Sequence, residues 1–238
     1  MGRWICDFRP LNRATVKRVT AVGDVFTKTR ALAAKLWKSG LDAWSGFNQM
    51  GATERAKQLL QIITSMGVRQ WTVLPFGVTN VPSYFQEMML NLYGPRPKEG
   101  LPSMLEDAMK DLDAHLSIFM DDLQVGSGDA LDNEEWARQD EATARGEAGE
   151  GFQQHLQVLG RILGRARLAN LKFKLTKCYF CQWEVESLGL FCACGSVRAD
   201  PKKTMAIAAW PRPSRLEDVE RFLATMVFLR DHLSPRYR

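Results

Sequence analysis

Three carboxylates stand in this sequence where apolar side chains are expected. Asp121 and Asp122 interrupt the stretch LSIFMDDLQVGS, residues 116–127, whose Leu116, Ile118, Phe119, Met120, Leu123 and Val125 otherwise read as a buried strand. A straight strand sends neighbouring side chains to opposite faces, so one carboxylate would enter the core unpaired, at a cost of several kcal/mol. Two arrangements remove that cost: a tight hairpin turn that exposes both groups, or a bound cation that makes adjacent carboxylates favourable. The two are compatible. Asp42 lies seventy-nine residues before Asp121, at the end of a strand-like run, flanked by Leu41, Ala43 and Trp44. Taken alone, an Asp before a Ser-Gly turn reads as an Asx-turn cap, and the adjacent pair as a polar hairpin turn. Taken together, three carboxylates from two strands suit two Mg²⁺ ions about 3.5–4 Å apart, an arrangement that activates a hydroxyl and stabilises a leaving oxygen in phosphoryl transfer.

A second constellation is Cys178, Cys181, Cys192 and Cys194: C-x2-C, a ten-residue gap, then C-x-C. The spacing admits zinc. Against it, Tyr179, Phe180 and Trp183 interleave the first pair and the second sits in an apolar run, which favours core-packed thiols. With Cys6 the five cysteines are too sparse for a disulfide scaffold.

The elements that must position these groups follow from periodicity and punctuation. An amphipathic helix is predicted over 24–38, with Val25, Leu32 and Leu36 on one stripe and basic loops before it. Helix is expected over 54–63, then a strand through RQWTV that ends at Pro75. NVPSYFQEMMLNLYG is a helix with Pro82 in its first turn and Gly94 past its end. Insertions are expected around 95–113 and over the acidic, Gly/Ala-rich stretch 128–151. The next helix should carry Phe152, Leu156, Leu159, Leu163 and Ala166 on one face. Strands over 171–180, 184–192 and 197–199 and a last helix over 216–233 complete the chain. The mixed order of strands and helices predicts an α+β fold with an antiparallel sheet.

Bulk properties narrow the partners. At 238 residues, 45% hydrophobic and 25% charged, the chain can bury a sizeable core. No apolar run approaches the ~20 residues of a membrane span, and MGRWICDFRP lacks the apolar region of a signal peptide, so an intracellular protein is expected, cytoplasmic or nuclear, with no membrane partner. Residues 129–150 hold eight acids and two bases, net −6, so the formal charge of +5 leaves +11 on the remainder. Such a remainder suits a polyanion, although a solvated basic surface has the same composition.

The ordered blocks RWICDFRPLN, LDAWSGFNQM, WTVLPFGVTNVPSYFQ, IFMDDLQVGS, the stretch from FQQHLQ through KCYF, VESLGLF, and the stretch from VRADPKK through VFLR resemble the reverse transcriptase domain of long-terminal-repeat retroelements of the Ty3/gypsy type. About 190 residues fall in these blocks. The resemblance implies a right-hand polymerase fold: partial fingers over 1–40, a palm segment over 41–49, fingers over 50–73, palm over 74–199, and the start of a thumb or connection over 200–238. It implies RNA-directed DNA synthesis on an RNA or DNA template–primer duplex from deoxynucleoside triphosphates, with two Mg²⁺ ions, Mn²⁺ being the alternative. Asp42, Asp121 and Asp122 fall on the family's metal ligands. Arg3 falls where an arginine meets the incoming triphosphate, Phe47 on the aromatic that excludes a ribose 2′-OH, and Phe76, Gly77 and Met120 near the nucleotide. Lys177 matches a family lysine placed to protonate pyrophosphate, and Leu188 and Gly189 match the primer grip. Each has a plainer reading as a core aromatic, an ordinary turn or a solvated charge. The chain also departs from the family. It is read as opening inside the fingers, LLQII at 59–63 replaces a basic stretch, and no protease, ribonuclease H or integrase follows residue 238. A catalytically inactive remnant that binds nucleic acid is therefore the rival reading. Phe47 disfavours a third, an RNA-templated RNA polymerase.

Overall fold

The computed structural model describes residues 6–20, 23–94, 116–129 and 149–229. Its centre is an antiparallel sheet of β1 (Lys35–Asp42), β4 (Leu116–Phe119), β5 (Asp122–Asp129) and β6 (Tyr179–Gln182), in the order β4-β5-β1-β6. β1 is buried along almost its whole length, as befits an inner strand with apolar Leu36, Trp37 and Leu41. The helices α4 (Val81–Tyr93) and α5 (Glu150–Leu168) pack on this sheet, and Leu41, Phe85, Met89, Leu123, Val125 and Ile162 form the main core. A second cluster joins α2 (Val25–Ala33) to the small sheet β7 (Val185–Ser187), β8 (Leu190–Ala193) and β9 (Ser196–Ala199) through Leu32, Ala33, Val185 and Cys192. A separate hairpin pairs β2 (Gln61–Thr64) with β3 (Gly67–Gln70) behind the short α3 (Glu54–Leu59). The α+β class and the antiparallel sheet are as the sequence predicts.

α4 begins and ends where its proline and glycine place it, with Pro82 in the first turn and Gly94 as C-cap. Elsewhere tertiary pairing overrides local pattern. α2 stops at Ala33 rather than Lys38, because Lys35 and Trp37 pair with Asp129 and Ser127 and are recruited into the sheet. α3 likewise ends at Leu59, and the strand expected through RQWTV ends at Gln70. In α5 the buried face is His155, Val158, Leu159, Ile162, Arg165 and Ala166, whereas Leu156 and Leu163 are exposed. The polar pair is stabilised inside by specific partners: Ser39 Oγ lies 2.7 Å from His155 Nε2, and Arg165 Nη1 donates to the Leu92 carbonyl. Residues 171–178 are mostly irregular rather than strand, since Lys174 N donates to the Asp42 carbonyl and wraps the segment around the end of β1. Three helices complete the described fold. α1 (Arg9–Ala14) arises where basic loops are expected, α6 (Pro201–Ala208, capped by the Asp200 side chain) where the pattern predicts no element, and α7 (Leu216–Leu229) falls within the last predicted helix. The insertion at 95–113, residues 130–148 of the acidic stretch, and Arg3 lie outside the described residues.

Candidate active site

The two aspartates of the opening stretch are separated by a turn. β4 and β5 form a hairpin whose two turn residues are Met120 and Asp121; Asp122 begins β5, paired with Phe119. Met120 has φ 56° and Asp121 does not have a positive φ, the pattern of a type II′ turn. The hairpin turn is present, but it exposes one carboxylate and not both: Asp121 is exposed at the turn, while Asp122 is half-buried. On the other side of β5, Asp42 is the cross-strand partner of Asp122, so the two carboxylates share one face of the sheet. Ala43 N donates to the Asp121 carbonyl at 3.1 Å, tying the turn to the end of β1.

The electrostatics of this corner are unbalanced. Burial above all, opposed by a hydrogen bond from Gln124 and aided by the charges of Asp121 and Asp42, pushes the Asp122 carboxyl up to about 6. Lys177 Nζ lies 3.0 Å from Asp42 Oδ2, and its positive charge opposes the shift at Asp122. Among the described residues no group of three His, Cys, Asp or Glu side chains closes on one point. Asp42 is turned to Lys177 and Asp122 to Gln124, whose Nε2 donates to Asp122 Oδ1 at 2.5 Å. The donor set nevertheless suits a hard divalent cation: three carboxylates at one sheet end, with like charges raising one of them, gain from positive charge and from oxygen coordination.

Four residues that hold this corner carry little or no signal in the sequence. Gln86 of α4, fully buried, accepts the Met120 N–H at 2.7 Å. Lys28 of α2 donates to the Ile118 carbonyl, with its ammonium 5.4 Å from the Phe119 ring centre. Tyr179 O–H donates to Gln124 Oε1. Polar side chains aimed across a sheet look like solvated residues in one dimension, and only an alternation of types inside apolar β5 hints at Gln124.

The other predicted residues divide. Phe47 lies in a 3₁₀ turn (Gly46–Gln49), its ring 5.1 Å from Phe76 and 5.6 Å from Phe85, against the main core. Phe76 and Gly77 (φ 92°) belong to a loop held by Asn12, whose Nδ2 donates to Gly77 O and whose Oδ1 accepts from Thr79 N. Leu188 and Gly189 are the positive-φ pair of a type I′ turn between β7 and β8, and Lys203 Nζ donates to Gly189 O at 2.9 Å. Cys192 is buried, its thiol pushed up to about 11 by burial, and Cys178 and Cys194 donate to the carbonyls of Lys174 and Lys35. These are the contacts of packed thiols.

A four-stranded antiparallel sheet backed by two helices, with aspartates at one end of the central strands, is the right-hand polymerase fold. Solved relatives agree: foamy viral protease–reverse transcriptase in complex with double-stranded DNA superposes with a TM-score of 0.72 over 94% of this chain and 33% of that one, at 18% identity. Foamy viral protease–reverse transcriptase in complex with an RNA/DNA hybrid gives 0.67 over 95% of this chain and 26% of that one, also at 18% identity. Residues 2–192 match the reverse transcriptase (RNA-dependent DNA polymerase) family, and the chain belongs to it. Among curated proteins it is similar to the retrovirus-related Pol polyproteins of the Drosophila melanogaster transposons opus and 412. Identity is 25% over 232 residues for opus, covering 96% of this chain and 19% of the polyprotein. For 412 it is 26% over 223 residues, covering 93% and 15%. The chain thus spans about a fifth or less of the length of these relatives.

Proposed function

We propose that this chain is the polymerase portion of a retroelement Pol polyprotein and carries out RNA-directed DNA synthesis with Asp42, Asp121 and Asp122 as its metal-holding and catalytic residues. The observation that carries this reading is the cross-strand pairing of Asp42 with Asp122 beside Asp121 in the adjoining turn. Two Mg²⁺ ions, or Mn²⁺, would be held by these three carboxylates, and when bound they supply a polarised primer hydroxyl and neutralise the charge that develops on the leaving pyrophosphate.

The remaining roles belong to side chains in hand. In this reading Lys177, whose Nζ lies 3.0 Å from Asp42 Oδ2, protonates the departing pyrophosphate. Phe47, wedged between Phe76 and Phe85, cannot swing aside easily, which is what a gate against a ribose 2′-OH requires. Phe76, Gly77 and Met120 border the nucleotide in this reading, with Arg3 on its triphosphate. The Leu188–Gly189 turn supports the primer strand. The division into fingers (1–40 and 50–73), palm (41–49 and 74–199) and thumb or connection (200–238) belongs to the same proposal, as do the template–primer duplex and deoxynucleoside triphosphates. Among the described residues no helix is long and apolar enough to cross a membrane.

One observation favours the rival reading of an inactive nucleic-acid-binding remnant. Leu59 and Ile63, where the family resemblance leads one to expect charge, are 59% and 90% exposed beside the β2–β3 hairpin. Primer extension on an RNA template with Mg²⁺ separates the two. Extension that disappears in Asp121→Asn supports the polymerase; a folded parent chain that binds duplex and never extends it supports the remnant.

A further inference from the structure

One row across the sheet has an unusual composition. Gly40 in β1 is the register partner of Gln124 in β5 on one side and of Tyr179 in β6 on the other. A Cβ at Gly40 would lie 2.3 Å from the Tyr179 ring, so the phenol lies over the bare backbone of β1 and reaches the strand beyond it. There its hydroxyl meets Gln124. Gln124 is 2% exposed, between the fully buried Leu123 and Val125, and an amide in such a place must satisfy both of its ends. It does so in a fixed sense. Its Nε2 donates to Asp122 Oδ1 at 2.5 Å and its Oε1 accepts from Tyr179. An ionised carboxylate offers acceptors alone, so the NH₂ end must face Asp122, and the phenol, which can donate, fixes that orientation from behind. Asp122 lies two residues from Gln124 on the same face of β5, and the Gln124 amide is the side-chain partner of its carboxylate.

We propose that Tyr179 and Gln124 are positioning residues: a relay, passing over Gly40, that holds the Asp122 carboxylate in the orientation that receives the divalent cation. The inference rests on the reading of Asp42, Asp121 and Asp122 given under Proposed function. The relay touches neither substrate nor metal. It orders a ligand by hydrogen bonding the oxygen that the ligand does not need free, as the outer partners of metal ligands do elsewhere. Tyr179 supplies direction, Gln124 supplies contact, and Gly40 supplies the gap.

The test is Mn²⁺ binding to the full chain, followed by the electron paramagnetic resonance of free Mn²⁺ without nucleotide or nucleic acid. Circular dichroism and thermal melting report the fold. Tyr179→Phe removes one oxygen and is expected to weaken Mn²⁺ binding about tenfold with an unchanged fold. Gln124→Leu should do the same, and the double variant should bind no more weakly than Gln124→Leu alone, because both substitutions break one chain of bonds. Asp42→Asn, a ligand rather than a relay member, sets the scale of full loss. Unchanged Mn²⁺ affinity in folded Tyr179→Phe, beside a parent that binds Mn²⁺ and loses it in Asp42→Asn, overturns the relay alone. A parent that binds no Mn²⁺ overturns the underlying reading and the relay with it. Should Gln124→Leu fail to fold, Tyr179→Phe decides.

Discussion

Asp122 shows what a single residue costs the fold for the sake of a site. Its carboxyl is raised from an ordinary 3.8 to about 6, first by burial and then by the neighbouring charges of Asp121 and Asp42, so the folded chain binds its proton more tightly than the unfolded chain does. The stability it contributes is therefore fully present below pH 4 and is lost as pH rises through about 6. At neutral pH in chelator the ionised group destabilises the fold by an amount on the order of 2–3 kcal/mol. Asp122→Asn keeps an acceptor for Gln124 and removes that term. The variant is expected to melt about 5 °C above the parent at pH 7.5 in chelator, a gain that fades towards pH 4, and to lose all primer extension. Equal melting temperatures across that range would show that the cluster carries no electrostatic strain. Phe47 makes a complementary case, for its ring acts by exclusion. Phe47→Val is expected to admit ribonucleotides in primer extension while deoxynucleotide use is largely retained, with some loss of stability from the contacts to Phe76 and Phe85. Undiminished sugar discrimination would assign the ring to the core alone.

Among elements, the β4–β5 hairpin is the most exacting. Met120 has a positive φ without being glycine, a sparsely populated conformation that costs on the order of 1–3 kcal/mol, and its N–H is met by Gln86 from another element. Gln86→Ala leaves that donor unpaired and should destabilise the chain by about 1–3 kcal/mol. Amide exchange at Met120 and the turn should accelerate by one to two orders of magnitude, whereas the β2–β3 hairpin should be unaffected. Protection of the turn that survives the substitution would mean that sheet pairing alone sets it. The same hairpin shows what sequence can reveal. Asp121 and Asp122 in an apolar run announce a turn, Pro82 and Gly94 delimit α4, and local chemistry suffices for both. The buried face of α5 was not legible, because His155 and Arg165 are buried by partners on β1 and α4 that no helical period encodes. Residues 171–178 were misread for a related reason. Their apolar alternation suits a strand, but the backbone bond from Lys174 to the Asp42 carbonyl bends them around the site and brings Lys177 within reach. Gln86, Gln124 and Tyr179 were missed because their roles exist between elements.

Across the whole molecule, charge is sorted rather than spread. Net −6 lies in residues 129–150 and +11 in the rest. Part of that positive charge borders the site: Lys172, Lys174 and Lys177 are exposed on the segment that wraps the end of β1, beside the 59% exposed Trp44, whose backbone N donates to the Lys172 carbonyl. Lysines on an exposed surface bind a polyanion by releasing its counterions, so each phosphate contact adds close to one unit to the dependence of log K on log salt. Binding of a primer–template duplex should therefore weaken steeply from about 50 to 200 mM salt, and replacing both Lys172 and Lys174 with Ala should flatten the slope by about two units. Lys177 is kept, because its ammonium is engaged with Asp42 and its loss would disturb the site as well as the surface. Deleting 130–148 is expected to strengthen duplex binding, since a run of like charge repels phosphates and its composition cannot build a core. Fluorescence anisotropy over a salt series checks all three expectations. A slope that the double substitution leaves unchanged would place the duplex on some other surface. An affinity indifferent to salt would count against a nucleic-acid partner altogether, whatever the aspartates do.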